Sequence, residues 1–295
     1  MSDNQRIPKQ RILIQLDSDP HPSVFDRVVA VDAGVDHVFS YGGIQPALVR
    51  DLVYGAIFTR GVNDLKRTAV FIGGSNVVDG EKLLAAARKS FFGPLRVSLL
   101  LDSNGANTTA AAAVVVAGRH MALKGARALV LGSSGPVGRR VARLLALGGS
   151  IVSVGSRSLD RASEVAEAIR TQVSGAQVAP VATGEEQQLA QALPGVELVI
   201  SAGGPGACLL PRSQRTLAKT IRVVVDLNAV PPEGIEGVKG TDSGVERDGQ
   251  VAYGAIGVGG LKMKIHKAAI AALFDSNDLV LDVEQVLEIG QKLKD

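Results

Sequence analysis

The run Ala128-Leu129-Val130-Leu131-Gly132-Ser133-Ser134-Gly135-Pro136-Val137-Gly138 joins an apolar strand to a glycine turn and then to a helix. Residues of these types, in this order, can hold a phosphate. Gly135 and Gly138 let backbone approach a ligand and let the helix lie close on the strand. The first helical turn offers N–H groups that have no intrahelical acceptor, at the positive end of the helix dipole. Taken alone, the run is equally an ordinary strand-to-helix turn. The sequence that follows favours the phosphate reading. A second apolar strand, Ile151 to Val154, comes at βαβ spacing and ends in Gly155-Ser156-Arg157-Ser158, with Arg161 one turn on. An NAD-preferring unit carries Asp or Glu there, to accept from the ribose 2′-OH. Here guanidinium groups and hydroxyls stand at the strand tip, and these suit a 2′-phosphate. We therefore expect an NADP site, with NAD possible. It comprises Gly132, Ser133, Ser134, Gly135, Pro136, Val137, Gly138, Ser156, Arg157, Ser158 and Arg161, together with Ala202, Gly203, Asn228 and Gly257 further along the chain.

A second group of polar residues follows the strands of the first half. Asp17 and Asp19 end one strand, Tyr41 a second, Gly74 a third, and Asp102, Ser103 and Asn104 a fourth. In a parallel sheet these ends share one edge, and ligands bind beyond the carboxyl ends of strands. Each Asp alone reads equally well as a turn or cap residue; their common edge makes them a candidate substrate face. A proton relay is missing. Tyr41, Tyr54 and Tyr253 have no Lys four residues on, and His21, His37, His120 and His266 read as structural. No cluster has metal-ligand spacing, and there is no P-loop. Hydride transfer from a carbon flanked by nitrogens fits this inventory, because the resulting cation is stabilised within the substrate and no proton moves.

The elements that must place these groups follow from periodicity. The expected strands are 11–16, 36–39, 68–72 and 95–101, then 127–131, 151–155, 178–182, 196–201, 222–227 and 251–255, with helices between them. The helix after Ser23 would turn Val24, Phe25, Val28 and Val29 inward, and Asn107 or Thr108 would cap an alanine-rich helix reaching Met121. Gly254, Gly257, Gly259 and Gly260 read as a close-approach stretch before a last helical region from Leu261 to about Lys294. The expected fold class is α/β, with two α/β domains and a cleft, the second a Rossmann-type doubly wound parallel sheet. The substrate domain would span 1–124, joined by 262–295, and the nucleotide domain 125–261.

The chain has 295 residues, 46% hydrophobic and 3% aromatic, so its cores must be aliphatic. A net charge of +3 is too small and dispersed to suggest nucleic acid. The single cysteine, Cys208, fits a reducing compartment and reads as a small apolar residue. With no apolar run of membrane-spanning length and no signal-peptide core, the expectation is a cytoplasmic protein with no membrane partner.

Over nearly its full length the sequence resembles the NADP-dependent methylene-tetrahydromethanopterin dehydrogenases. The matching stretches are Pro22-Ser23-Val24-Phe25-Asp26, Thr59-Arg60-Gly61, Phe91-Phe92-Gly93-Pro94, Leu101-Asp102-Ser103-Asn104-Gly105, Asn107-Thr108-Thr109-Ala110, Gly135-Pro136-Val137-Gly138 and Gly257-Val258-Gly259-Gly260-Leu261-Lys262. One departure is visible: Ser133 stands where the family's turn usually has its first glycine. The resemblance implies oxidation of a methylene bridge to the methenyl cation with hydride passing to NADP, a tetrahydromethanopterin or folate pterin as substrate, and a homo-oligomer, expected to be a trimer. With a pterin in view, Asp17, Asp19, Phe25, Asp102, Asn104, Asn107 and Thr108 become the expected substrate residues. Lys262 becomes the expected catalytic residue, its ammonium holding the ring rather than acting as a base. Two other readings compete. One is a shikimate-type dehydrogenase, for which Lys66 and Asp102 would be the proton-transfer pair; the other is a non-catalytic NADP sensor.

Overall fold

The computed structural model describes residues 9–293, which divide into two compact units. The first unit comprises residues up to Gly105 and Met263–Ile289; the second comprises Ala106–Lys262 and the residues after Ile289.

The first unit runs β1 (Ile12–Leu16), α1 (Val24–Asp32), β2 (His37–Tyr41), α2 (Pro46–Ile57), β3 (Thr68–Ile72), α3 (Val77–Lys89) and β4 (Ser98–Leu101). The second runs α4 (Ala106–Gly118), β5 (Arg127–Leu131), α5 (Pro136–Leu147), β6 (Ile151–Ser156), α6 (Leu159–Gln172), β7 (Val178–Ala182), α7 (Glu186–Ala192), β8 (Leu198–Ser201), α8 (Arg212–Leu217), β9 (Val223–Asp226), β10 (Ser243–Arg247) and β11 (Gln250–Tyr253). Helix α9 (Ala255–Ala272) carries the chain back into the first unit, where β12 (Val280–Leu281) and most of α10 (Val283–Lys292) follow.

The first sheet has the order β12-β4-β3-β1-β2 and is parallel throughout. Strand β3 is buried along its whole length, as expected for a central parallel strand covered on both faces. The second sheet has the order β10-β11-β9-β8-β5-β6-β7, parallel except for β10 against β11. The central β5, β8 and β9 carry continuous runs of Ala, Leu, Val and Ile at residues 128–131, 198–200 and 223–225. Their order reverses between β5 and β8, which makes a topological switch point at the carboxyl end of β5.

Several sequence expectations need correction. The division lies after Gly105, not after Lys124: α4 packs on α5 and belongs to the second unit. Asn107 and Thr108 are therefore not caps of a first-domain helix but buried residues inside the first turn of α4. The glycine stretch does not precede the last helical region but lies largely inside it, because α9 begins at Ala255, not Leu261, and runs through Gly257, Gly259 and Gly260. In α1, Val29 and Ala30 are buried while Val24, Phe25, Val28 and Val31 are exposed. That helix is apolar on both sides, so periodicity alone does not choose its inner face. Among the described residues, no helix is long and apolar enough to cross a membrane.

Candidate functional site

In the second unit, the turn after β5 is built by close backbone approach. Gly132 has φ +69°, and a Cβ there would lie 2.7 Å from Gly203 N and 2.8 Å from its Cα. A Cβ on Gly138 would lie 2.5 Å from Gly132 O and 2.8 Å from Ser133 Cα. The residue that must be glycine for its dihedral is thus Gly132, and Ser133 does not disturb the turn. Ser133 is buried, and its N–H (3.1 Å) and hydroxyl (3.0 Å) both donate to Gly155 O on β6. It ties the turn to the neighbouring strand. Gly135 caps α5 with Pro136 at its first position, so the Val137 and Gly138 N–H groups precede any intrahelical acceptor. Ser134 O accepts from Arg139 Nε at 3.0 Å.

At the tip of β6, the buried Ser156 hydroxyl accepts from Ser158 N–H at 3.3 Å, and Ser158 caps α6 by accepting from Arg161 N–H at 3.4 Å. The capping oxygen is an acceptor in that bond, so the Ser158 O–H remains a donor. Arg157 and Arg161 are exposed beside these hydroxyls, and no carboxylate stands at the tip. Gly184 brings its backbone against Arg157: a Cβ there would lie 3.1 Å from Arg157 O.

Ala202 continues the strand pairing through Ala202 N–H to Leu131 O at 2.9 Å, and Gly203 packs against Leu209. Asn228 braces the loop that follows β9. It is buried, its amide donates to Val230 O and Pro232 O at 2.8 Å each, and its Oδ1 accepts from Val230 N–H at 3.1 Å. Gly257 likewise has a packing reason, since a Cβ there would collide with Asp242 O. In contrast, a Cβ on Gly259 or Gly260 meets nothing within 4 Å.

Sequence reading passed over Asp226, which ends β9 beside Ser201 of β8. Its Oδ1 accepts from Asn228 N–H (3.1 Å) and its Oδ2 from Ile235 N–H (3.0 Å). Burial pushes this carboxyl above the usual range, against the opposing pull of those N–H groups. Its position directly after three consecutive valines, Val223 to Val225, is the available signal.

In the first unit, hydrogen bonds lace together the loops at the carboxyl ends of β1, β3 and β4. Asp17 accepts from Asp19 N–H (2.9 Å) and Ser23 N–H (3.2 Å). Asp19 accepts from the N–H and hydroxyl of Ser75, each at 2.9 Å. Asn104 N–H donates to Gly74 O at 2.7 Å, and Ser103 Oγ to Gly73 O at 2.8 Å. Asp17, Asp19, Asp102 and Asn104 therefore do share one edge. Their tasks differ: Asp17 is buried with its carboxyl pushed up by that burial, and it shapes the loop. Asp19 clasps the β3 loop. Asn104 is exposed and holds a left-handed backbone, φ 55°. Asn107 and Thr108 are buried in α4, which belongs to the second unit, and Asn107 Oδ1 accepts from Arg140 Nε.

Phe25, which the sequence places inward on its helix or against a ligand, is half exposed. Its ring centroid is 6.2 Å from that of His266, which itself lies 5.7 Å from Phe71. His266 is buried on α9, with Nε2 3.9 Å from Asp26 Oδ1. Lys262 precedes His266 by four residues and so shares its face of α9. It lies in the second turn of the helix, half buried, whereas Lys264 is exposed. The Lys66–Asp102 pair is ruled out by topology. Lys66 precedes the amino end of β3 and Asp102 follows the carboxyl end of the parallel β4, so roughly 13 Å of strand separates them.

Comparison with known proteins agrees with this geometry. The family model described as methylene-tetrahydromethanopterin dehydrogenase, N-terminal, matches residues 24–104. The bifunctional protein MdtA of Methylorubrum extorquens is 43% identical over 286 residues, covering 96% of this chain and 99% of that protein. The NAD(P)-dependent methylenetetrahydromethanopterin dehydrogenase of the same organism is 30% identical over 292 residues, covering 96% and 98%. Among solved structures, shikimate 5-dehydrogenase from Listeria monocytogenes, in complex with shikimate and NAD, aligns with a TM-score of 0.53 at 13% identity, over 95% of this chain and 96% of that one. That likeness concerns the fold. The relatives, matched end to end, place this chain in the methylene-tetrahydromethanopterin dehydrogenase family.

Proposed function

We propose that the protein oxidises the methylene bridge of a methylene-tetrahydropterin of the tetrahydromethanopterin type to the methenyl form, passing hydride to NADP, with NAD as a weaker second acceptor. The observation that carries the reading is the pair of phosphate-suited features in one βαβ unit: a glycine turn that no side chain could enter at Gly132 or Gly138, and a strand tip bearing Arg157 and Arg161 without a carboxylate. NADP supplies the nicotinamide carbon that accepts the hydride.

The chain's own groups bind and orient. The Val137 and Gly138 N–H groups, at the positive end of α5, take the pyrophosphate. Arg157, Arg161 and the Ser158 O–H take the 2′-phosphate. Asp102, Asn104 and Phe25 face the pterin, with Asp17 and Asp19 holding the loops that present them. The Lys262 ammonium fixes the ring so that the methylene carbon is presented for transfer; misplacement by about 1 Å costs on the order of a hundred-fold in rate. The C–H bond breaks with its electron pair, and the remaining cation is delocalised over the two flanking nitrogens, so no side chain needs to act as acid or base. The protein works as a homo-oligomer in this reading.

Steady-state rates with methylene-tetrahydromethanopterin and methylene-tetrahydrofolate, each against NADP and NAD, test the assignment. Arg157→Ala should raise the NADP KM roughly ten-fold or more, through loss of a charge-assisted pair, and leave the NAD KM nearly unchanged. Equal effects on both nucleotides reject Arg157 as the 2′-phosphate residue. Nucleotide binding without turnover of either pterin would make the protein a sensor.

A further inference from the structure

We propose that the groove beneath the free edge of the first sheet is a second ligand site, built for a small aromatic carboxylate. The sheet ends at β2. The register sets Phe39 beside Ile14 and Tyr41 beside Leu16, with Thr68 beside Ile12, so these residues share the face on which α2 packs. Helix α2 buries Val49, Val53, Ala56 and Ile57 against β1 and β3 but leaves β2 uncovered, with Phe39 46% and Tyr41 41% exposed. A cavity of about 360 Å³ remains between that strand and the helix. This lies within the range of small-molecule pockets and well above a packing defect.

The body of the cavity is apolar, and its polar groups gather where β1 and β3 begin. Thr68 is 3% exposed and lines the cavity, and its Oγ1 has no hydrogen-bond partner among the described residues. Buried hydroxyls are ordinarily satisfied, so an orphan one facing a cavity marks a place for an acceptor. Arg60 lies beside it. Its Nη1 donates to Gln10 O at 2.9 Å and Arg67 O at 2.8 Å, which anchors the guanidinium and leaves its other donors to face a ligand. Arginine's planar fork suits a carboxylate. Asp51, at the rim, is paired with Arg50 at 3.4 Å in a highly exposed ion pair and does not compete for Arg60.

An aromatic body between Phe39, Tyr41 and Leu52, with its carboxylate accepting from Arg60 and Thr68, uses each of these features. The carboxylate-binding end of the site, at Arg60 and Thr68, lies at the amino ends of β1 and β3, whereas the substrate edge lies at strand carboxyl ends and meets the groove at Tyr41, the last residue of β2; the site is distinct from the one proposed for the pterin and does not depend on that assignment.

Benzoate is the probe, titrated into the full chain by calorimetry and followed by ligand-observed NMR, with benzamide as the neutral control. Gly55→Leu fills the mouth of the groove; a Cβ at the exposed Gly55 meets nothing within 4 Å, so the helix accepts it. Thr68→Val removes the hydroxyl and keeps the shape. One saturable benzoate site per chain is expected, at least five-fold tighter than benzamide. Gly55→Leu should weaken it ten-fold or more and Thr68→Val three-fold or more, with the NADP KM unchanged and both variants melting as folded proteins. The proposal is overturned by absence of saturation, by binding that neither variant diminishes, or by Gly55→Leu breaking an oligomer in sedimentation, which would show the groove closed by a second copy of the chain.

Discussion

Asp17 and Asp226 end strands in the two units, and both are buried carboxylates held by backbone N–H groups. Such groups fix loops at a site without spending side chains on the task. The cost is a raised pKa, with burial as its leading cause. The sign of the consequence is definite. Between the unfolded value near 3.8 and the raised folded value, the native state binds more protons than the unfolded one, so Asp226's contribution to stability falls as pH rises through that window. The Tm of the wild type minus that of Asp226→Asn should therefore be most favourable below about pH 4 and decline above it. A difference that is flat in pH would show that Asp226 is not strained by its burial. At Lys262 the relevant comparison is with Lys264, two residues on and exposed. In folded protein that still binds NADP, Lys262→Ala should lose most turnover and Lys264→Ala little. Near-normal turnover in Lys262→Ala removes it from the chemistry.

The start of α9 shows how far elements can be read from sequence and where such reading stops. A run of four glycines within seven residues reads as a close-approach stretch ahead of a helix rather than part of it, because each glycine weakens a helix interior. The structure resolves the run into two kinds. Gly254 and Gly257 are required by backbone contact, since a Cβ would collide with Lys239 O in the first case and Asp242 O in the second; Gly259 and Gly260 touch nothing. Gly257→Ala should therefore destabilise the protein or stop it folding. Gly259→Ala should stabilise it by about 0.5–1 kcal/mol, the usual gain for Ala over Gly in a helix. Thermal melts of the two variants decide this. If Gly259→Ala melts higher but turns over more slowly, the open space above it is needed by a ligand. Other misreadings have similar causes. Strand β10 is exposed and polar, and β12 is two residues long, so neither carries an apolar signature. The buried strands β3, β5, β8 and β9 were legible because a strand covered on both faces must be apolar without interruption. Asn107 was misassigned because an amide before an alanine-rich run looks like a cap, whereas its partner, Arg140, is thirty-three residues away in sequence.

At the scale of the whole molecule, the fold is shared with dehydrogenases that oxidise alcohols, so fold alone does not choose the chemistry. The choice rests on what the two units lack and where they lack it. An alcohol dehydrogenase of the shikimate type must remove a hydroxyl proton as hydride leaves, and its pH profile then reports the acid–base group. Lys66 and Asp102, the pair that sequence offered for that role, begin and end adjacent parallel strands and cannot meet. With a methylene carbon between two nitrogens the proton is absent from the reaction, and transfer depends on position alone. Isotopes separate these cases. Deuterium at the methylene carbon should slow single-turnover reduction of NADP, because that C–H bond breaks. The same measurement in heavy water should be unchanged, because no exchangeable proton moves in the step. A solvent isotope effect as large as the substrate effect would require an acid or base, and the strongest place to seek it would then be the Asp26–His266 contact on α1 and α9, the buried imidazole that shares a helix face with Lys262.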